Sequence, residues 1–159
     1  MQTSADYPPL WKVIAGATLL VGTLDISDAF IFFGLRGITP TRILQGIASG
    51  VLGRAAFSMG HRSALLGLFF HFFIAFSATT VFLVASRKIP VASHPWLYGT
   101  LFGVALYIVM NYIVLPLSKI GLRPTPPLVP LINGVAALIV CIGIPLAFIA
   151  RRYIPRQIT

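Results

Sequence analysis

Three stretches of this chain, 63–86, 96–118 and 128–150, run for 23 or 24 residues without a single Asp, Glu, Lys or Arg. A helix rises 1.5 Å per residue, so about 20 mainly apolar residues cover the roughly 30 Å of a bilayer's hydrocarbon core. Basic side chains close each stretch: Arg62 and Arg87-Lys88 around the first, His94 and Lys119 around the second, Arg123 and Arg151-Arg152 around the third. A fourth stretch, 13–35, lies between Lys12 and Arg36 and differs by carrying Asp25 and Asp28 inside it. Tyr7, Trp11, Trp96, Tyr98 and Tyr153 stand at the edges, where an amphipathic ring fits the boundary between hydrocarbon and water. Pro8-Pro9, Pro95 and Pro124, Pro126, Pro127 break the chain before the first, third and fourth stretches. The sequence therefore predicts an all-α integral membrane protein, a single membrane domain over 1–159 with four transmembrane helices. Nothing in it is long or polar enough for a separate soluble domain.

Composition agrees. The chain is 57% hydrophobic and 9% charged with mean hydropathy +0.92, where a soluble domain averages about 45–50% and 25%. Its net charge of +9 comes from twelve Lys and Arg against three acids, Asp6, Asp25 and Asp28. Those cations fall between apolar runs, not on one face of a soluble fold, so nucleic acid is not an expected partner. They anchor helix ends and attract anionic lipid headgroups. The lone Cys141 allows no intrachain disulfide. The first apolar run is also too long for a signal peptide, whose apolar core is about 7–15 residues.

The interval 37–60 is less clear-cut. Residues 42–58 hold Gly46, Gly50 and Gly53 between Arg42 and Arg54, and are barely long enough to cross. On a helix those glycines and Phe57 share one face, which lets backbones approach closely. We expect a short Gly-rich helix over about 41–58, packed against the bundle or lying at the interface, with a re-entrant hairpin as the alternative. With four spans the Lys and Arg residues divide six against six; a fifth span through this segment gives seven against five and places the C-terminus in the cytoplasm. Gly34-Leu35-Arg36 with Thr39-Pro40 resembles Gly121-Leu122-Arg123 with Thr125-Pro126, and Leu44–Ala48 resembles Ile132–Ala136. Internal repeats of this kind occur in transporters, with the site between the halves; recurrence by chance in an apolar chain is the expected reading.

Asp25 and Asp28 carry the most information, because a charge at bilayer depth costs several kcal/mol and faces the bundle interior with a partner. Their i, i+3 spacing sets them about 60° apart on one helical face, which Thr18, Gly22 and Ala29 extend as a small, polar stripe. Arg54 or Arg36 is the expected counter-ion. His71 shares a face with Ala64, Gly67, Ala75 and Ala78, a small-residue face that should pack on another helix and bring the imidazole inside. In the third stretch Thr100, Tyr107, Asn111 and Ser118 align beside Gly99-x-x-x-Gly103. Asp25, Asp28, Arg54, His71 and Asn111 are the candidate polar centre; Gly22, Gly46, Gly50, Gly53, Gly99 and Gly103 are the candidate packing positions. Pro116 and Pro145 are candidate kinks.

No Walker A, Gly-x-Ser-x-Gly, His-Glu-x-x-His or Cys-x-x-Cys motif occurs. With no Glu and one Asp outside the first span, carboxylate-rich catalysis is hard to build. No metal site and no cofactor are expected; a lone His71 is weak grounds for haem.

The stretch from Thr23-Leu-Asp-Ile through Phe32-Phe-Gly-Leu-Arg-Gly, then Pro40-x-Arg-Ile-Leu-Gln-x-Ile-Ala-Ser-Gly-x-Leu-Gly-Arg54, resembles a set of small bacterial inner-membrane proteins. That set has no established activity. The resemblance implies a bacterial multi-pass protein and transfers no catalytic residue, though it places Asp25 and Arg54 within its motif. The leading expectation is a non-enzymatic accessory or assembly component with an Asp–Arg centre, alone, as a homo-oligomer or beside a membrane-protein partner. The alternative is a small transporter or channel moving protons or a polar solute through the same residues.

Overall fold

The computed structural model describes residues 8–122, 124 and 126–153. Asp6, Tyr7, Arg123, Thr125 and Arg156 lie outside the described residues. Every regular element among the described residues is helical: α1 (Leu10–Gly34), α2 (Pro40–Leu52), α3 (His61–Ala85), α4 (Pro95–Leu117) and α5 (Leu128–Tyr153). All but α2 are long and apolar enough to cross a membrane. Each agrees with its predicted stretch to within three residues at either end.

The helix ends follow from local chemistry. At the end of α1, Gly37 takes φ +80° and the Ile38 amide donates to the Phe33 carbonyl at 3.1 Å; this left-handed turn satisfies a carbonyl the helix leaves open. Thr39 then caps α2, accepting from the Arg42 amide at 3.3 Å, and Pro40 opens the first turn, where its missing N–H costs nothing. The expected single helix over 41–58 is two pieces. Gly53 sits at φ +64° and ends α2, and 53–58 continues as a 3-10 turn.

Prolines shape α4 and α5 in the same way. Pro116 and Pro145 have no N–H to give the carbonyls of Tyr112 and Cys141, and their rings crowd those carbonyls. In each helix the preceding turn widens into a π turn, over Met110–Val114 and Leu138–Gly143. The Leu115 amide reaches back to Met110 and the Ile144 amide to Ile139, five residues in both cases.

Short connections make successive long helices antiparallel, and α1 packs against both α3 and α5. Side chains fill the half of the bundle away from α2. Val13, Ile14, Ala17 and Val21 of α1 meet Phe82 and Leu83 of α3 and Ile142, Leu146, Ala147 and Ala150 of α5 in one buried cluster. The α2 half is different. There α2 is docked on the first turns of α3, and its last turn is held by the Lys119 amide, which donates to the Gly50 carbonyl at 2.8 Å. Ser63 of α3 fastens the 3-10 turn by donating to the Ala56 carbonyl at 2.6 Å. One end of the bundle is solid and the other, roofed by α2, is hollow.

Candidate functional site

The hollow half encloses a cavity of about 640 Å³, within the roughly 300–1,000 Å³ of small-molecule pockets. All five helices contribute to its wall, which is apolar except for Asp25, His71, Arg42 and Ser118. Four of its lining residues, Ile38, Arg42, Val51 and Val114, are exposed, so the cavity reaches the surface where α2 passes the end of α1 and the side of α4. Asp25 lies nine residues before the end of α1 and His71 ten residues into α3, so both stand roughly 14–15 Å from the α2 end, near mid-height. They stand in the wall of the cavity, which continues past them along Ala75, Ala78 and Ile142 to the packed core.

Gly67 explains how α2 comes so close. A Cβ there would run into the Leu44 carbonyl oxygen and stand 3.3 Å from the Ala48 nitrogen. The remaining small residues of that face, Ala64, Ala75 and Ala78, are buried as expected, and so is His71 at 9% exposure. The imidazole Nε2 lies 2.8 Å from the Gly22 carbonyl of α1. A carbonyl only accepts, so Nε2 carries the proton, and in the neutral ring Nδ1 is left as an acceptor.

The two aspartates part company. Asp28 Oδ2 accepts from Asn133 Nδ2 of α5 at 2.9 Å, a charge-assisted bond across two helices. Asp25 receives no hydrogen bond and no ion pair from any described residue. The expected Asp–Arg pairing is absent among the described residues: Arg54 is exposed on the 3-10 turn, and Arg36 lies over the Phe32 ring at 3.6 Å while donating to the Phe32 carbonyl at 2.7 Å. Gly53 is the reason for the first, because its left-handed turn ends the helix that was expected to aim Arg54 inward. Asn111 also stays out of the cluster. Its Nδ2 donates to the Tyr107 carbonyl of its own helix at 3.0 Å, and it borders a separate cavity of about 150 Å³ with Tyr112 and Gly121.

Of the expected packing glycines, Gly99 and Gly103 carry the α4–α5 contact, where a Cβ would stand 2.8 Å from Ile144 Cα and 2.6 Å from Ile139 Cα. Gly22 abuts the Phe72 ring and Gly50 faces Ser118. Gly46 is a correction: nothing stands within 4 Å of a Cβ built on it, because it faces the cavity and no helix. Two close-contact glycines, Gly67 and Gly143, and two polar residues, Arg42 and Asn133, were not among the candidates. Depth was the available signal for Asn133, since it lies five residues into α5 and Asp28 six from the end of α1, both about 8–9 Å from the α2 end.

Comparison of the chain with family models, curated proteins and solved structures gives no match.

Proposed function

We propose that the chain is a non-enzymatic accessory protein of a bacterial inner membrane that holds a small ligand in the hollow half of its bundle, with Asp25 as the recognising group. The observation that carries this reading is a carboxylate without a donor in the wall of a ligand-sized cavity. At bilayer depth an unsatisfied polar group costs several kcal/mol, so a donor supplied by a ligand repays the cost. The bacterial and inner-membrane part rests on the resemblance of the Asp25-to-Arg54 stretch. Asp28, already bonded to Asn133, ties α1 to α5 and is left out of the ligand's recognition.

The test is thiol accessibility in nanodiscs, in a Cys141→Ala background. A membrane-impermeant methanethiosulfonate should modify Gly46→Cys, which opens on the cavity, as readily as the exposed Ser58→Cys. Ala17→Cys in the packed half should resist. An unreactive Gly46→Cys beside a reactive Ser58→Cys would sink the reading.

One observation favours a second reading, transport. Asp25 and His71 stand near mid-height, where carriers bind their cargo. Proton or solute flux into liposomes that Asp25→Asn abolishes, with folding retained, would establish it. Absence of flux across a broad panel of solutes counts against it.

A further inference from the structure

Resting on that reading of the cavity, we infer that its ligand is a lipophilic amine, an apolar body carrying a protonated nitrogen that docks on Asp25. The chemistry of the cavity at mid-height and at its α2 end decides this. At mid-height the Asp25 carboxyl has no donor among the described residues, and His71 has none to spare through Nε2, which is already given to the Gly22 carbonyl. A head that fits there must bring hydrogens to donate. A protonated amine brings them together with a charge that answers the carboxylate. An alcohol brings one hydrogen and no charge, and a carboxylate or phosphate adds an acceptor to acceptors.

The walls set the rest of the molecule. Around Asp25 they are built from residues such as Phe33, Ile47, Phe70, Ile74 and Met110. This surface pairs with hydrocarbon and offers a long polar solute no hydrogen bonds. The cation at the roof does not compete for the head. Arg42 lies on the Phe57 ring at 4.0 Å and is exposed to solvent. An anionic amphiphile seated on Arg42 would lay its tail against Asp25 and leave the carboxylate bare. The reverse orientation, amine at Asp25 and tail toward α2, gives the carboxyl its donor.

Dodecylamine is the probe, with dodecanol and laurate as chain-matched competitors. The protein carries Gly46→Cys and Cys141→Ala in phosphatidylcholine nanodiscs at neutral pH, and the readout is the rate of thiol modification. Dodecylamine should slow modification at concentrations at least about tenfold below those of dodecanol or laurate, and adding Asp25→Asn should raise its half-protecting concentration about ten- to a hundredfold, the range for a hydrogen bond to a charged group. Equal protection by all three probes overturns the inference, as does indifference to Asp25→Asn or no protection by dodecylamine. Each leaves the pocket reading standing, because that depends only on the thiol being reactive before a probe is added. Should Asp25→Asn fail to fold, the three-probe comparison on the protein retaining Asp25 still decides.

Discussion

Two glycine-to-alanine changes in the same half of the bundle should move stability in opposite directions. A Cβ at Gly67 would stand 2.7 Å from the Leu44 carbonyl carbon, where carbon atoms rest at about 3.5–4.0 Å, so α2 must retreat by about 1 Å. A gap of that width forfeits about a quarter to a half of the attraction of each contact it opens. Overpacking costs about 1–3 kcal/mol when side chains can shift. Here the obstacle is backbone, which has no rotamer to change, and the cost falls at about 3 kcal/mol. Alanine returns about 1 kcal/mol of helix propensity, leaving Gly67→Ala less stable by about 2 kcal/mol. Gly46→Ala gains the propensity and meets nothing within 4 Å, so it should be more stable by up to about 1 kcal/mol. Unfolding of the purified proteins by SDS in mixed micelles, followed by circular dichroism, measures both. The packing argument is refuted if Gly67→Ala lies within about 0.5 kcal/mol of the parent, the range of inert substitutions, or if Gly46→Ala loses as much.

The same assay checks three further expectations. A double-mutant cycle with Asp28→Ala and Asn133→Ala should give a coupling of about 0.6–1.7 kcal/mol, the range for interhelical hydrogen bonds in membranes; zero coupling removes the bond between α1 and α5. Arg54→Ala should change stability by no more than about 0.5 kcal/mol, since the side chain is exposed and has no ion pair with a described residue; a loss matching that of Asp28→Ala would restore Arg54 as the counter-ion expected from the sequence. At His71, Gln places its amide nitrogen where Nε2 stands and Asn does not, so His71→Gln should keep about 0.5–1.5 kcal/mol that His71→Asn loses. The reverse order would mean that the Gly22 carbonyl is not what holds the ring.

Hydropathy made the four long helices legible because it needs only a count of apolar residues over a fixed length. Faces were legible wherever one helix supplied the whole pattern. The stripe of Ala64, Gly67, Ala75 and Ala78 correctly placed His71 inside, and Gly99-x-x-x-Gly103 correctly marked a close contact. Partners were not legible, since they depend on two helices at once. Asn133 and Asn111 lie at similar depths, yet one meets Asp28 and the other turns back on Tyr107, and only the rotation of α4 and α5 separates them. Arg54 misled for a local reason: a left-handed Gly53 changes the direction of the chain one residue before it. The cavity had no sequence signature, being the space that α2, α3 and α4 fail to fill.

The π turns bear on how this chain tolerates changes of length. Removing one residue from an ordinary helix rotates everything beyond it by about 100°, turning each buried face outward. A π turn already holds one residue more than an α-helical path needs. Losing one residue from 110–114 would let the turn relax toward α-helical spacing with both flanking faces aligned, at the cost of the crowding by the Pro116 ring that the π turn relieves. The π turn of α5 is different, because Ile139 and Gly143 within it are the residues packed on Gly103 and Gly99. Of the two proline-bearing helices, α4 thus contains a place where a residue can be dropped without turning the helix over.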